Sequence, residues 1–147
     1  MTNGHKLPRA RNPALLPDRE EPYVLRNVYE RMIEGCRGEL VLQWDGGCLF
    51  FRADTETDSL EAEFHDGAFT PSDKYRSLRS CKPWSGCLGK SCGWTWLAVD
   101  QEGYWDGALL SFDGIVPNVL LSVTASSICV FSVVQEEGQT APAAKRP

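Results

Sequence analysis

Residues 39–53 read ELVLQWDGGCLFFRA, from Glu39 to Ala53. Leu40, Leu42 and Trp44 alternate with Val41 and Gln43, the two-residue period of a strand whose faces have different neighbours. Asp45-Gly46-Gly47 interrupts the pattern and Cys48 to Arg52 resumes it. Glycine tolerates positive φ, so a Gly-containing break between two apolar runs marks a hairpin. The same grammar continues along the chain. Leu60, Ala62 and Phe64 share one face of a third strand, with Glu61 and Glu63 on the other. Trp94 to Val99 and Tyr104 to Phe112 flank a turn at Asp100-Gln101-Glu102-Gly103. Val119 to Thr124 and Ile128 to Val134 form a last hairpin. Connections this short exclude parallel crossovers, so the sheet is expected to be mainly antiparallel.

Two segments read as helices. Pro22 to Gly35 has Pro near its start, Gly at its end and a stripe of Val24, Leu25, Val28 and Met32. A strand over Val28 to Ile33 is the alternative there. Ser72 to Ser80 reads as a second short helix with Ser72 as N-cap. The expected class is therefore α+β: a curled or partly closed antiparallel sheet of about seven strands with one or two short helices. Residues 65–93 lose the alternation and, beyond that helix, read as an irregular loop long enough to suggest function.

The chain has 147 residues, about one domain's length. Its 15 Lys and Arg stand against 20 Asp and Glu, a net charge of -5. An acidic balance argues against nucleic acid and against anionic lipid as partners, since both need basic surface. No apolar run approaches the roughly 20 residues of a membrane span. Residues 1–21, with Pro8, Pro13, Pro17 and interspersed arginines, and residues 136–147 read as disordered tails. Six bases and five acids lie in these tails. The single domain expected over 22–135 keeps nine bases and 15 acids, a net of -6.

Cys81, Cys87 and Cys92 lie in one loop with C-x5-C-x4-C spacing. Zinc sites favour C-x2-4-C pairs and about four ligands, so zinc fits poorly. Lys82 and Lys90 flank the loop and could lower a thiol pKa. Cys36, Cys48 and Cys129 sit in or beside strands and read as small core residues. Gly86 to Ser91 lacks the first Gly of a phosphate-binding loop and precedes a strand, not a helix. Asp54 to Asp58 lacks the Gly and Glu of a calcium loop. His65 is the sole histidine of the domain, so any Ser–His or Cys–His chemistry must use it.

Charge is segregated. Residues 54–66 hold six acids and no base; residues 74–90 hold five bases and no acid. They either neutralise each other in the fold or form patches that steer a partner. Three of the five Trp fall in one hairpin. Trp94 and Trp96 share a face of one strand, and Tyr104, Trp105 and Asp106 lie on the next. Pairing across that hairpin would gather the five into a binding surface.

The pattern G-W-x-W…Q-x-G-Y-W-D at 93–106, with W-D-G-G at 44–47 and A-D-T-E-T-D-S-L at 53–60, resembles a group of small uncharacterised bacterial proteins. The likeness covers most of 24–134. It implies a bacterial, cytoplasmic, single-domain protein and carries no assigned activity or cofactor. The sequence thus points to a non-enzymatic protein-binding module: an adaptor, an inhibitor or an immunity-type protein with a basic partner. Two alternatives stand beside it. One is a thiol- or metal-dependent function at Cys81, Cys87 and Cys92. The other is a small hydrolase or lyase using His65 and carboxylates.

Overall fold

A computed structural model describes residues 15–134. Its nine strands are β1 (Asn27–Ile33), β2 (Cys36–Trp44), β3 (Gly47–Asp54), β4 (Ser59–Asp66), β5 (Tyr75–Ser77), β6 (Cys92–Val99), β7 (Trp105–Phe112), β8 (Val119–Thr124) and β9 (Ser127–Ser132). They form two open sheets, β4-β3-β2-β1-β5 and β6-β7-β8-β9, with every neighbouring pair antiparallel. The central hairpin forms as its alternation predicts. Leu42 pairs with Leu49 and Leu40 with Phe51 around the two-residue turn Asp45-Gly46, where Gly46 has φ 79°.

The α+β expectation is corrected to a mainly antiparallel β architecture. Among the described residues there is no α-helix, and one 3-10 turn, Trp84–Gly86. The first expected helix is strand β1. Glu34 and Gly35 both take positive φ (53° and 83°), the requirement of a tight I′ hairpin turn, so Gly35 is a turn residue and not a helix stop. Val28 and Glu30 face the same side as their partners Leu42 and Leu40, while Tyr29 and Arg31 face the other. The second expected helix is β5, which pairs with the free edge of β1. Ser72 accepts Tyr75 N–H through its carbonyl (3.2 Å) and Lys74 N–H through its hydroxyl (3.3 Å), closing a turn into that strand.

The single curled sheet becomes two because the 67–91 segment breaks the ladder after β4 and the chain restarts at β6. That segment is pinned. Leu78 N–H bonds Val28 O (2.7 Å), Gly89 N–H bonds Leu25 O (2.8 Å), and Trp84 is buried. The sheets face each other with β2 near β9 and β4 near β7. Leu40, Leu42, Phe51 and Leu60 meet Leu97, Leu110, Leu121 and Ile128 in one core.

The expected tails lie outside the described residues at 1–14 and 136–147. Residues 15–21 are laid on the domain: Leu15 is 9% exposed, and its N–H reaches Thr95 Oγ1 at 3.3 Å.

Glu30 faces the interior and is 3% exposed. Arg37 Nε donates to one carboxylate oxygen (2.8 Å) and Arg76 Nε to the other (2.7 Å). Burial pushes this carboxyl up, but the hydrogen bonds and charges of both arginines outweigh it and hold it below the ordinary range. A depressed folded-state pKa stabilises the fold above the unfolded pKa, and that contribution disappears as pH falls through the folded value.

Two outcomes follow. Phe51→Ala should cost about 3–5 kcal/mol in denaturant unfolding, as expected of a fully buried ring, whereas Met32→Ala on the surface should stay within about 0.5 kcal/mol. Stability of the native protein should hold from neutral pH to about pH 5 and fall below about pH 4, the ordinary carboxylate range. Glu30→Gln should cost about 2 kcal/mol at pH 7, less than a fully buried pair because both arginines are partly exposed, and should flatten the acid limb. An unchanged acid limb would remove Glu30 from that role.

Candidate functional site

Strand alternation places Trp94 and Trp96 on the outer face of the second sheet. Their ring centroids are 6.4 Å apart and the planes are 16° from parallel. Trp94 is 53% exposed. A bulge between Cys92 and Trp94 aims it outward. The buried Ser111 holds that bulge: its hydroxyl accepts Trp94 N–H at 3.0 Å and donates to Gly114 O at 2.7 Å. Trp96 pairs with Leu109, Leu109 with Leu120, and Leu120 with Phe131. An apolar row thus crosses all four strands on the outer face, ending at Phe131, which is 50% exposed.

The expected five-residue cluster is not assembled. The turn, with a register shift between Ala98 and Val99, fixes which residues meet. Trp94 therefore pairs with Ser111, while Trp105 pairs with Val99 beside the turn. Asp100 Oδ1 accepts the N–H groups of Glu102 (2.8 Å) and Tyr104 (3.0 Å), which tightens that turn. Trp105 packs against the core, and Tyr104 and Asp106 are half-buried at its side. This end of the hairpin lies about 17 Å along the strand from Trp94.

What flanks the Trp pair instead is the segment 16–23. Cys92 N–H bonds Tyr23 O (2.8 Å), Val24 bridges to Ser91, and Tyr23 Oη donates to Pro17 O (2.5 Å). Between this segment and residues 91–96 runs an open groove of about 680 Å³. Asp18, Glu20 and Glu21 line it and are exposed. Arg19 lies over the Tyr23 ring at 3.8 Å and donates to Glu21 O and Pro22 O. Sequence reading assigned these residues to the leader. The signal available was Leu15-Leu16, an apolar pair able to anchor the segment, directly before the acids.

The loop cysteines part company with the reactive-thiol expectation. Cys87 and Cys92 are buried in the core, and Cys81 packs against it. Burial, helped by Cys87, pushes the Cys92 thiol up to about 12. Burial also raises Cys87, against a smaller downward pull from Lys90. Activated thiols require the opposite shift. All six cysteines are free. Among the described residues no group of three or more His, Cys, Asp or Glu could hold a metal ion.

His65 sits on the outer face of the first sheet. Its Nε2 is 3.3 Å from Glu63 Oε2 and its ring lies 4.9 Å from Phe50. Glu63 also takes Arg52 Nη1 (2.7 Å), whose Nε reaches the buried Glu39 (2.6 Å); Tyr75 Oη donates to Glu39 as well. The Arg52 hydrogen bond holds Glu63 low against a small effect of burial, with His65 adding to it. Burial and the neighbouring Glu39 push the Tyr75 phenol up. His65 thus has an acid neighbour, but that acid is already engaged by Arg52.

The acidic block runs into β4 and the basic block begins at β5, the opposite edges of the five-stranded sheet, about 19 Å apart at the usual strand spacing. Their pairs are made elsewhere: Arg76 with Glu30, Glu63 with Arg52, and Asp58 with the N–H groups of Ala125 (3.2 Å) and Ser126 (2.8 Å).

The sequence was compared with known proteins. No curated protein and no solved structure matches it. A family model described as a family of unknown function, DUF6334, matches residues 21–137, a span that contains the central hairpin, both sheets and the Trp94–Trp96 strand. The chain belongs to this family of unknown function, DUF6334.

Proposed function

We propose that the protein is a non-enzymatic binding module that engages a basic protein partner in the cytoplasm, as an adaptor, inhibitor or immunity-type protein does. One observation carries this reading: a groove lined by the exposed Trp94, the half-buried Trp96 and the exposed acids Asp18, Glu20 and Glu21. Indole faces attract cations, and aromatic side chains supply large contact area at protein interfaces. Carboxylates at the same groove add longer-range attraction for a positive partner and repel nucleic acid and anionic lipid. The row Trp96, Leu109, Leu120 and Phe131 extends the groove with apolar surface. A partner segment that alternates basic and apolar side chains matches both parts. Six free thiols suit a reducing compartment.

The test uses a labelled peptide of alternating Leu with Lys or Arg, followed by fluorescence anisotropy, with an acidic peptide of equal length as control. The basic peptide should bind, and binding should weaken as salt rises. Trp94→Ala should reduce affinity about tenfold or more, as removal of a central aromatic anchor does, with the unfolding midpoint unchanged. Neutralising Asp18, Glu20 and Glu21 to amides should slow association and reduce the salt dependence. Equal affinity for the acidic peptide, or full affinity in Trp94→Ala, would overturn the proposal.

A further inference from the structure

Charged residues make up 24% of the chain, yet residues 114–135 contain none. This stretch holds β8, β9 and their flanks, and β9 is a free edge of the four-stranded sheet. The other sheet edges are guarded as edge strands usually are, by charge or by cover. β4 carries Glu61, Glu63 and Asp66, and β5 carries Arg76. At β6, Val24 bridges to Ser91, Cys92 N–H bonds Tyr23 O and Leu15 N–H reaches Thr95. β9 carries no charge. Half of the large hydrophobic side chains exposed among the described residues lie in the same uncharged stretch: Ile115, Val116, Phe131 and Val134.

The hydrogen-bond register shows which backbone groups this edge offers. Val133 N–H bonds Asn118 O at 2.8 Å and so continues the β8–β9 ladder. Bonded and non-bonded pairs alternate along an antiparallel ladder. Phe131 and Cys129 therefore spend their N–H and C=O on β8, while Ile128, Val130 and Ser132 point theirs away from it. Arg37 Nη1 occupies the Ile128 carbonyl at 3.1 Å. Among the described residues no hydrogen bond satisfies the outward N–H and C=O of Val130 and Ser132.

We infer that a second copy of the chain occupies this edge, joined antiparallel through β9 about a two-fold axis at Phe131. Val130 then exchanges both backbone bonds with Ser132 of the second copy, and Ser132 does the same with its Val130. This register uses only free groups, whereas a shift toward the start of the strand needs the Ile128 carbonyl that Arg37 holds. Phe131 meets its own copy in a non-bonded pair, where cross-strand side chains approach most closely and two rings attract. Such an isologous contact needs no second surface. Charge favours the same occupant. Each copy carries a net charge of -5, and 114–135 is where two copies can meet without opposing like charges. The rows Trp96, Leu109, Leu120 and Phe131 of both copies become one apolar face. The inference stands apart from the basic-partner reading.

The test is sedimentation equilibrium of the full chain over a concentration series at physiological salt. The mass should rise from 16.4 kDa toward twice that value. Phe131→Lys sets two like charges face to face and should leave a monomer, as should Phe131→Glu. Mixed together, these two variants should recover a dimer, because the opposed charges now attract. Ser132→Pro removes an N–H that β8 does not use, a position where an edge strand tolerates proline. It should be folded by circular dichroism and monomeric. A native monomer at every concentration overturns the inference, and so does a dimer that survives either Phe131→Lys or Ser132→Pro. Failure of the mixture to dimerise overturns the two-fold at Phe131. A monomer whose Val130 and Ser132 amides resist hydrogen exchange shows the edge covered by the chain itself, and the assignment to a second copy falls.

Discussion

One buried carboxylate, that of Glu30, joins the parts of this molecule that local sequence does not connect. It sits on the inner face of β1, where an unpaired charge would be prohibitive. Arg37 from β2 and Arg76 from β5 satisfy it. Arg37 then continues across the sandwich: its N–H donates to Ser127 Oγ and its Nη1 to Ile128 O, each at 3.1 Å. A three-residue edge strand, the central hairpin and the last strand of the other sheet are thus held by one ionic cluster. A buried ion pair is often no more stabilising than apolar packing, but it admits few geometries. Here it specifies how the two sheets meet.

That meeting determines what remains outside. Leu97, Ala108, Leu110 and Leu121 turn inward to the core, so period-two alternation sends Trp96, Leu109, Leu120 and Phe131 outward. Close approach of β7 and β8 leaves no room for a side chain at Gly107, where an added Cβ would lie 2.6 Å from the Leu121 carbonyl oxygen. The outer faces of the two sheets then diverge in character. The first is filled by its own groups, with Phe69 packed on Tyr29, Phe50 and Tyr75, and Arg52 between Glu39 and Glu63. The second keeps its apolar row and its Trp pair in contact with solvent.

Reading the sequence reached the central hairpin, β4 and the four strands of the second sheet to within three residues at each end, because each shows clean alternation or an aromatic run. It failed at β1 and β5. Val24, Leu25, Val28 and Met32 fit a helical stripe by coincidence, since Val24 and Leu25 precede the strand. The pairing of Tyr29 with Ser77 and of Arg31 with Tyr75 that makes β5 a strand spans more than forty residues. Propensity has no access to a partner that distant. The same limit applied to the site. Trp94 and Trp96 stood out by composition, but Asp18, Glu20 and Glu21 lie over seventy residues away and looked like solvated charges of a leader.

What the sequence determined alone was the alternation: which residues share a strand face, where the turns fall, that the pairing is antiparallel, and that two indoles stand side by side on β6. Those properties depend on neighbours within a few residues. What tertiary structure decided was the split into two sheets, the burial of Glu30 and Glu39, the raised thiols of Cys87 and Cys92, and the acids that line one groove with the Trp pair. Each depends on which strand edge or loop a residue meets after the chain has closed. Burial and charge proximity are properties of space, and sequence separation does not encode them.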